Sequence, residues 1–205
     1  MSRYAFFFDS TRCTGCKTCE LACKDYKDLG TEHTMRRIFD YEGGDWTEGE
    51  DGTWTTTSYV YHVSVACNHC DAPACIEACP TGAMHRDPTT DLVLVDAETC
   101  IGCGSCAGAC SYGAPYIDEV LGCSVKCDGC ADRVAAGKQP ICVEACPMRA
   151  LEFGEADVMG AQGEQAALAP LPEPFTGPNF FIKAGPHAQP WDSGDGHVAN
   201  PLEVV

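Results

Sequence analysis

The feature that most constrains this chain is the spacing of its 17 cysteines, of which all but one fall into four groups of four. Cys13, Cys16, Cys19 and Cys23 read C-x2-C-x2-C-x3-C, and Cys100, Cys103, Cys106 and Cys110 repeat that spacing. Cys67, Cys70, Cys75 and Cys79 read C-x2-C-x4-C-x3-C, and Cys127, Cys130, Cys142 and Cys146 read C-x2-C-x11-C-x3-C. An internal repeat of this kind decides architecture before local propensity does. Cys123 is left over, and an odd count argues against a fully paired disulfide set.

Three thiolates at C-x2-C-x2-C sit on one short loop, enough for three corners of an iron–sulfur cubane, and the next x3 step carries the fourth Cys onto a helix. In two-cluster ferredoxins that fourth Cys ligates the other cluster, commonly with Pro after it. Pro80 and Pro147 follow Cys79 and Cys146, whereas Lys24 and Ser111 follow Cys23 and Cys110. Sixteen ligands make four [4Fe–4S] clusters. The competing chemistry is a zinc-stabilised scaffold, in which two C-x2-C units hold one ion. Zinc needs only two cysteines from each half, so it leaves the recurring x2-x2 triads unexplained. A free-standing polyferredoxin is a further alternative, but it would need neither a long tail nor large insertions.

Charge and hydropathy narrow the function. Thirteen Lys+Arg against 30 Asp+Glu give a net charge of −17, which disfavours a nucleic-acid partner because phosphate attracts cations. The longest uncharged runs, residues 52–70 and 99–117, are interrupted by Thr, Ser, Gly and Cys. Neither reads as a lipid-facing helix, so no direct membrane span is expected. Arg3 is followed by only Tyr4-Ala5-Phe6-Phe7-Phe8 before Asp9, too short for a secretory signal. The thiols are therefore expected to be made in a reducing compartment, for metal or redox work.

The segments between the groups predict an α+β chain. Strands are expected over 4–8, 59–65 and 150–153, a hairpin over 83–86 and 92–95, and short helices over 18–26, 74–78 and 127–136. Residues 42–51 read as an acidic loop, with Trp46 and Trp54 as its packing residues. The hairpin makes groups two and three one two-cluster module. Groups one and four then form the other, closed by pairing 4–8 with 150–153. The expected architecture is two ferredoxin-like modules with small β-hairpins and short helices, residues 59–121 being inserted between 1–58 and 122–154. Residues 155–205 hold seven of the 13 prolines and no Cys, and are expected to form an extended arm on a partner rather than a core.

No other chemistry stands out. There is no Ser/His/Asp or Cys/His nucleophile set, no paired catalytic carboxylates, no P-loop and no dinucleotide fingerprint. No catalytic residue is therefore assigned. His33, His62, His69, His85, His187 and His197 form no metal pair at useful spacing. His69 and His85 are close enough in sequence to tune a cluster, but are read as loop or surface residues. Cys123 reads as a small buried thiol. Arg12 and Lys126 precede groups one and four, where they would neutralise cluster charge.

Ten of the 13 basic residues flank groups one and four, while residues 38–125 hold Arg86 alone against 14 acidic residues. Cations stabilise a reduced cluster and suit an anionic neighbour. Groups one and four are thus expected to face a catalytic partner, and groups two and three an electron donor.

The residues that carry a resemblance are Phe7-Phe8-Asp9-Ser10-Thr11-Arg12-Cys13-Thr14-Gly15-Cys16-Lys17-Thr18-Cys19, Gly43-Gly44-Asp45-Trp46 and Lys126-Cys127-Asp128-Gly129-Cys130. Pro140-Ile141-Cys142-Val143-Glu144-Ala145-Cys146-Pro147 and Ala169-Pro170-Leu171-Pro172 add to them. From about Tyr4 to Pro201 the chain resembles the four-cluster iron–sulfur subunits of membrane-bound molybdopterin oxidoreductases, and within them the branch serving dimethyl sulfoxide reduction. The resemblance implies four ligand sets: Cys13, Cys16, Cys19 and Cys146; Cys23, Cys127, Cys130 and Cys142; Cys67, Cys70, Cys75 and Cys110; Cys79, Cys100, Cys103 and Cys106. It also implies a catalytic partner carrying the molybdopterin cofactor, which reduces S- or N-oxides, and a quinol-oxidising membrane anchor. The location it implies is peripheral to the cytoplasmic membrane, on the outer face by co-export with a twin-Arg partner, with the cytoplasmic face as the alternative. Relatives serving tetrathionate, polysulfide or formate share the Cys framework. This chain departs from the family's habit at Gly104-Ser105 and at Ser111, all in group three.

Overall fold

The computed structural model describes residues 3–204. Tyr4–Asp9 forms β1, Thr18–Tyr26 α1, Arg37–Gly43 β2, Trp46–Glu48 β3, Trp54–Thr56 β4 and Tyr59–Val65 β5. Then come α2 (Ala74–Glu77), β6 (Met84–Arg86), β7 (Val93–Val95), α3 (Ser105–Ala109), β8 (Tyr116–Asp118), β9 (Cys123–Val125), α4 (Ala131–Ala135) and α5 (Ile141–Glu144). The chain closes with β10 (Leu151–Glu155), α6 (Ala156–Gly160), β11 (Glu164–Gln165), β12 (Phe180–Lys183), β13 (His197–Val198) and a 3-10 turn over Pro201–Glu203. Helices are short and sheets small, a mixed α+β chain as expected.

Residues 4–8 of β1 are an unbroken apolar run because both faces of the strand are covered. Phe6 and Phe8 point into the main core with Leu151, Phe153, Phe180 and Ile182. Ala5 and Phe7 point the other way, onto Ala156 and Met159 of α6. Each fully buried Phe contributes roughly 2 kcal/mol of apolar transfer. β1 pairs antiparallel with β10, Phe6 opposite Phe153, as the sequence predicts. It also pairs in parallel with β12, Phe6 opposite Phe180, giving the order β10-β1-β12-β11.

That second pairing corrects the expectation for the tail. Residues 155–205 do not lie apart from the chain: Ala166, Leu168, Ala169, Leu171, Phe180 and Ile182 are buried in its main core. The prolines space short apolar contacts that a composition count does not credit. β13 likewise adds an edge to β2, which pairs with β5 in a second sheet.

Residues 42–51 are corrected too. They run out of β2 into β3, which pairs with β4 as an exposed hairpin. Trp46 and Trp54 stand in solvent on that hairpin instead of packing a loop. The expected hairpin of groups two and three is present as β6 and β7, Met84 opposite Val95.

Candidate metal centres

Each Cys loop is bent by a left-handed residue two positions after its first thiol: Gly15, His69, Gly102 and Gly129. Glycine suits this turn, having no Cβ to clash. At Gly15 there is a second reason, since a Cβ would lie 2.5 Å from the His62 ring. The bends turn backbone amides and thiols toward one side of each loop.

Twelve of the grouped thiols line three concavities, four to each, and the other four are buried elsewhere. Set A is Cys13, Cys16, Cys19 and Cys146, which line a concavity of about 320 Å³ with Phe8, Ile38 and Ser64. Set B is Cys23, Cys127, Cys130 and Cys142, all buried. Cys142 and Cys130 act electrostatically on Cys23, and Cys127 feels both Cys23 and Cys67 of set C. Set C is Cys67, Cys70, Cys75 and Cys110, around about 410 Å³ with Tyr112, Lys126 and Thr176. Set D is Cys79, Cys100, Cys103 and Cys106, around about 320 Å³ with Ile101, Ile117 and Ser124.

The sets form a line. Cys19 and Cys146 of set A share the main core with Cys142 of set B. Cys23 and Cys127 of set B share a second apolar cluster with Cys67 and Cys110 of set C. Cys75 of set C shares a third with Cys79 and Cys106 of set D. Only the two ends reach solvent through an exposed thiol, Cys16 at set A and Cys103 at set D.

Burial and hydrogen bonding divide the thiols. Burial pushes Cys13 and Cys70 up to about 11, and Cys23 and Cys75 up to about 12. Such thiols ionise only with a compensating cation. At the exposed ends hydrogen bonds act in the opposite sense. The Thr18 hydroxyl, 3.4 Å from the sulfur, lowers Cys16, and the Ser105 hydroxyl, also at 3.4 Å, lowers Cys103. Backbone amides donate to Cys79 from Met84, to Cys100 from Ser124 and to Cys146 from Ala150, at 3.3 to 3.4 Å. Thr176 of the tail donates its hydroxyl to Cys70 at 3.2 Å. Donors to sulfur of this kind set cluster potentials.

The donor arrangement fits cubanes better than single ions. A zinc site needs four ligands converging at about 2.3 Å from one point. Among the described residues no three His, Cys, Asp or Glu side chains converge so. The thiols of sets A, C and D line concavities instead. Asn68 and Tyr112 line the set C concavity, and their Nδ2 and Oη are buried without a hydrogen-bond partner among the described residues, as are Arg36 Nη2 and His69 Nε2. Bridging sulfides would accept from such donors.

Of the residues weighed singly, Cys123 is buried in β9, as expected. Arg12 is exposed, but Lys126 is buried at set C, its Nζ bonded to the carbonyls of Val93 and Cys127. His69 lies in a loop, as one of the two expected readings had it, but not at the surface. It is buried, its Nδ1 accepts the Val93 amide at 3.0 Å, and burial followed by Lys126 holds it neutral. Sequence reasoning gave Arg36, Ser64, Tyr112, Ser124 and Thr176 no role of their own. None lies in a Cys group, and only Tyr112 lies within two residues of one.

Residues 58–156 match the 4Fe-4S dicluster domain family, and residues 10–27 match a 4Fe-4S binding domain. Over 205 residues, 99% of each chain, the protein is 54% identical to the B subunit of the anaerobic dimethyl sulfoxide reductase of Escherichia coli (strain K12). The chain belongs to the family of anaerobic dimethyl sulfoxide reductase B subunits. The family member of Haemophilus influenzae is 51% identical over 206 residues, all of both chains. A more distant relative, the thiosulfate reductase electron transfer subunit PhsB of Salmonella typhi, is 36% identical over 76% of this chain and 78% of its own. As a B subunit of this family, the protein is the electron-carrying subunit of an anaerobic reductase, not its catalytic one. Its cofactors are four [4Fe–4S] clusters.

Proposed function

We propose that sets A to D are the ligand sets of the four clusters, and that electrons run through them from a quinol-oxidising membrane anchor at set D to a molybdopterin catalytic subunit at set A. There the electrons reduce dimethyl sulfoxide and related S- or N-oxides. The observation that carries this is the linear order of the sets, with one exposed thiol at each end and none fully exposed between. Bound clusters supply one-electron carriers. The chain's own residues hold them apart from water and adjust their potentials by charge and hydrogen bonding.

The direction rests on the two ends. The cleft next to Cys16 carries Lys17 and Lys24 together with Glu20, Glu32 and Glu203, so the set A end is assigned from the concentration of basic residues around groups one and four, which suits an anionic cofactor in a partner. Ile101, Val120 and Leu121 are exposed around set D, an apolar rim suited to a hydrophobic anchor. Two nested two-cluster modules follow, sets A and B from residues 1–58 and 122–154, sets C and D from residues 59–121. No helix among the described residues is long and apolar enough to cross a membrane, so attachment falls to the anchor. The catalytic partner's export places the assembly on the outer face. The substrate follows the relatives that match the whole chain, not the partial thiosulfate relative.

The test is anaerobic purification from native membranes with this chain as bait. A three-subunit, molybdenum-containing eluate that reduces dimethyl sulfoxide and trimethylamine N-oxide is expected. An iron-rich chain eluting alone would refute the assembly, and a molybdenum partner inert to both oxides would refute the substrate.

A further inference from the structure

Arg36 is 2% exposed and lies just before β2. Its Nη1 donates to the carbonyl oxygen and to the hydroxyl of Ser64, at 3.3 and 3.2 Å. Its guanidinium carbon lies 4.8 Å from the centroid of the Phe6 ring. Nη2 is buried with no hydrogen-bond partner among the described residues. No ion pair among the described residues includes it.

A buried guanidinium without an anion is very costly, since nothing replaces its lost hydration. Arginine cannot escape by losing its proton. The chain must therefore supply negative charge at this point, and the groups that face Arg36 are thiols. Its chain neighbour Met35 packs in one apolar cluster with Cys23 and Cys127 of set B. Phe6, whose ring the guanidinium faces, shares the main core with Cys19 and Cys146 of set A and Cys142 of set B. The electrostatic influence of Cys142, Cys19, Cys127 and Cys23 on the guanidinium runs in the same sense. Ser64 ties the guanidinium to set A as well, its hydroxyl lying 3.5 Å from the Cys19 sulfur. Arg36 thus occupies the space between two sets, held by Ser64 and the Phe6 face, with one donor arm unused.

We infer that Arg36 is a positioning residue shared by two clusters: the buried guanidinium between sets A and B is their common counter-cation and raises both reduction potentials together. The inference rests on the ligand sets proposed above. Reduction adds one electron and one negative charge to a cluster, and a fixed cation nearby favours that state. Salt does not screen a buried cation as it would a surface lysine. One cation serving two clusters makes their shifts correlated, which no residue bound to a single set would do. Lys126 supplies the contrast, because its Nζ is already engaged by two carbonyls and it lines set C.

The experiment is a potentiometric titration followed by electron paramagnetic resonance on the complete membrane complex, comparing Arg36→Met and Arg36→Lys with the parent. Signals are first assigned with Cys146→Ser for set A and Cys142→Ser for set B. If both Cys variants disturb the same single signal, the ligand sets themselves are wrong, whatever Arg36 does. With the sets standing, Arg36→Met is expected to lower the potentials of the A and B clusters together and to leave those of C and D in place. Arg36→Lys is expected to restore most of the shift. If Arg36→Met loses clusters, the expected loss is A and B alone, with iron falling to half. The inference is overturned by a shift in neither cluster or in one only. It is equally overturned by a lysine variant that shifts as far as methionine, or by loss of all four clusters with the methionine variant.

Discussion

The loops Cys13–Cys23 and Cys100–Cys110 share one spacing and one backbone path, yet their surroundings differ. Both carry left-handed residues at the same two places, Gly15 and Lys17 in the first, Gly102 and Gly104 in the second. Gly104 takes a positive φ without strain, whereas Lys17 holds it with its side chain paired to Asp40 and Glu203. The first loop continues into nine-residue α1 and the second into five-residue α3. Beside the first lie Arg36, Lys17 and Lys24, and beside the second lie Ile101, Val120 and Leu121. Cysteine spacing thus determines the cradle, and the neighbours determine what the cradle faces.

Removing the exposed thiol at each end tests the comparison most strongly. Cys103→Ser is expected to cut quinol-driven reduction by roughly a hundredfold or more, about 3 kcal/mol in effective barrier. Viologen-driven reduction, measured in the same membranes, should change far less, because the dye can donate elsewhere along the line. Cys16→Ser should depress both. If the two variants behave alike, the proposed polarity is wrong. A smaller effect comes from exchanging the left-handed residues. Gly104→Lys should cost about 1 kcal/mol in chemical unfolding, the strain of a side chain at positive φ. Lys17→Gly should cost less, because relief of strain offsets loss of its ion pairs.

The remaining two effects are smaller still. Cys123→Ala should cost about 1 kcal/mol or less and leave the iron content unchanged. Iron loss would mean that Cys123 is a ligand. Thr176→Val should remove the hydroxyl donor to Cys70 and lower the potential of the set C cluster alone. An unmoved set C potential would show that the tail covers that loop without tuning it.

Much of the metal chemistry was legible because thiolate ligation leaves a fixed spacing in the sequence. Strand β5 and the β6–β7 hairpin were legible too, as β-branched runs bounded by turn residues. What stayed hidden depends on partners distant in sequence. β12 owes its place to parallel pairing with β1, and nothing around Phe180 announces that. Thr176 and Asn179 reach the Cys67–Asp71 loop only after the tail folds back, Asn179 Nδ2 donating to the His69 carbonyl at 2.8 Å. Arg36 was visible as one basic residue among ten, but its burial follows from β2, a strand that the pattern of charges concealed. Trp46 and Trp54 misled because aromatics usually mark cores, whereas here a hairpin carries them outward.

The place of β1, gripped by β10 on one edge and β12 on the other, gives assembly a direction in time. The segment synthesised early is enclosed only when Lys183 has been made, because β12 supplies that edge. The proposed ligand sets nest like brackets: set D spans the shortest stretch of chain, then C, then B, and A closes around them all. Short loops close at less entropic cost than long ones. Clusters are therefore expected to be loaded from the anchor end toward the catalytic end, and a nascent chain halted before residue 140 would hold iron only at sets C and D.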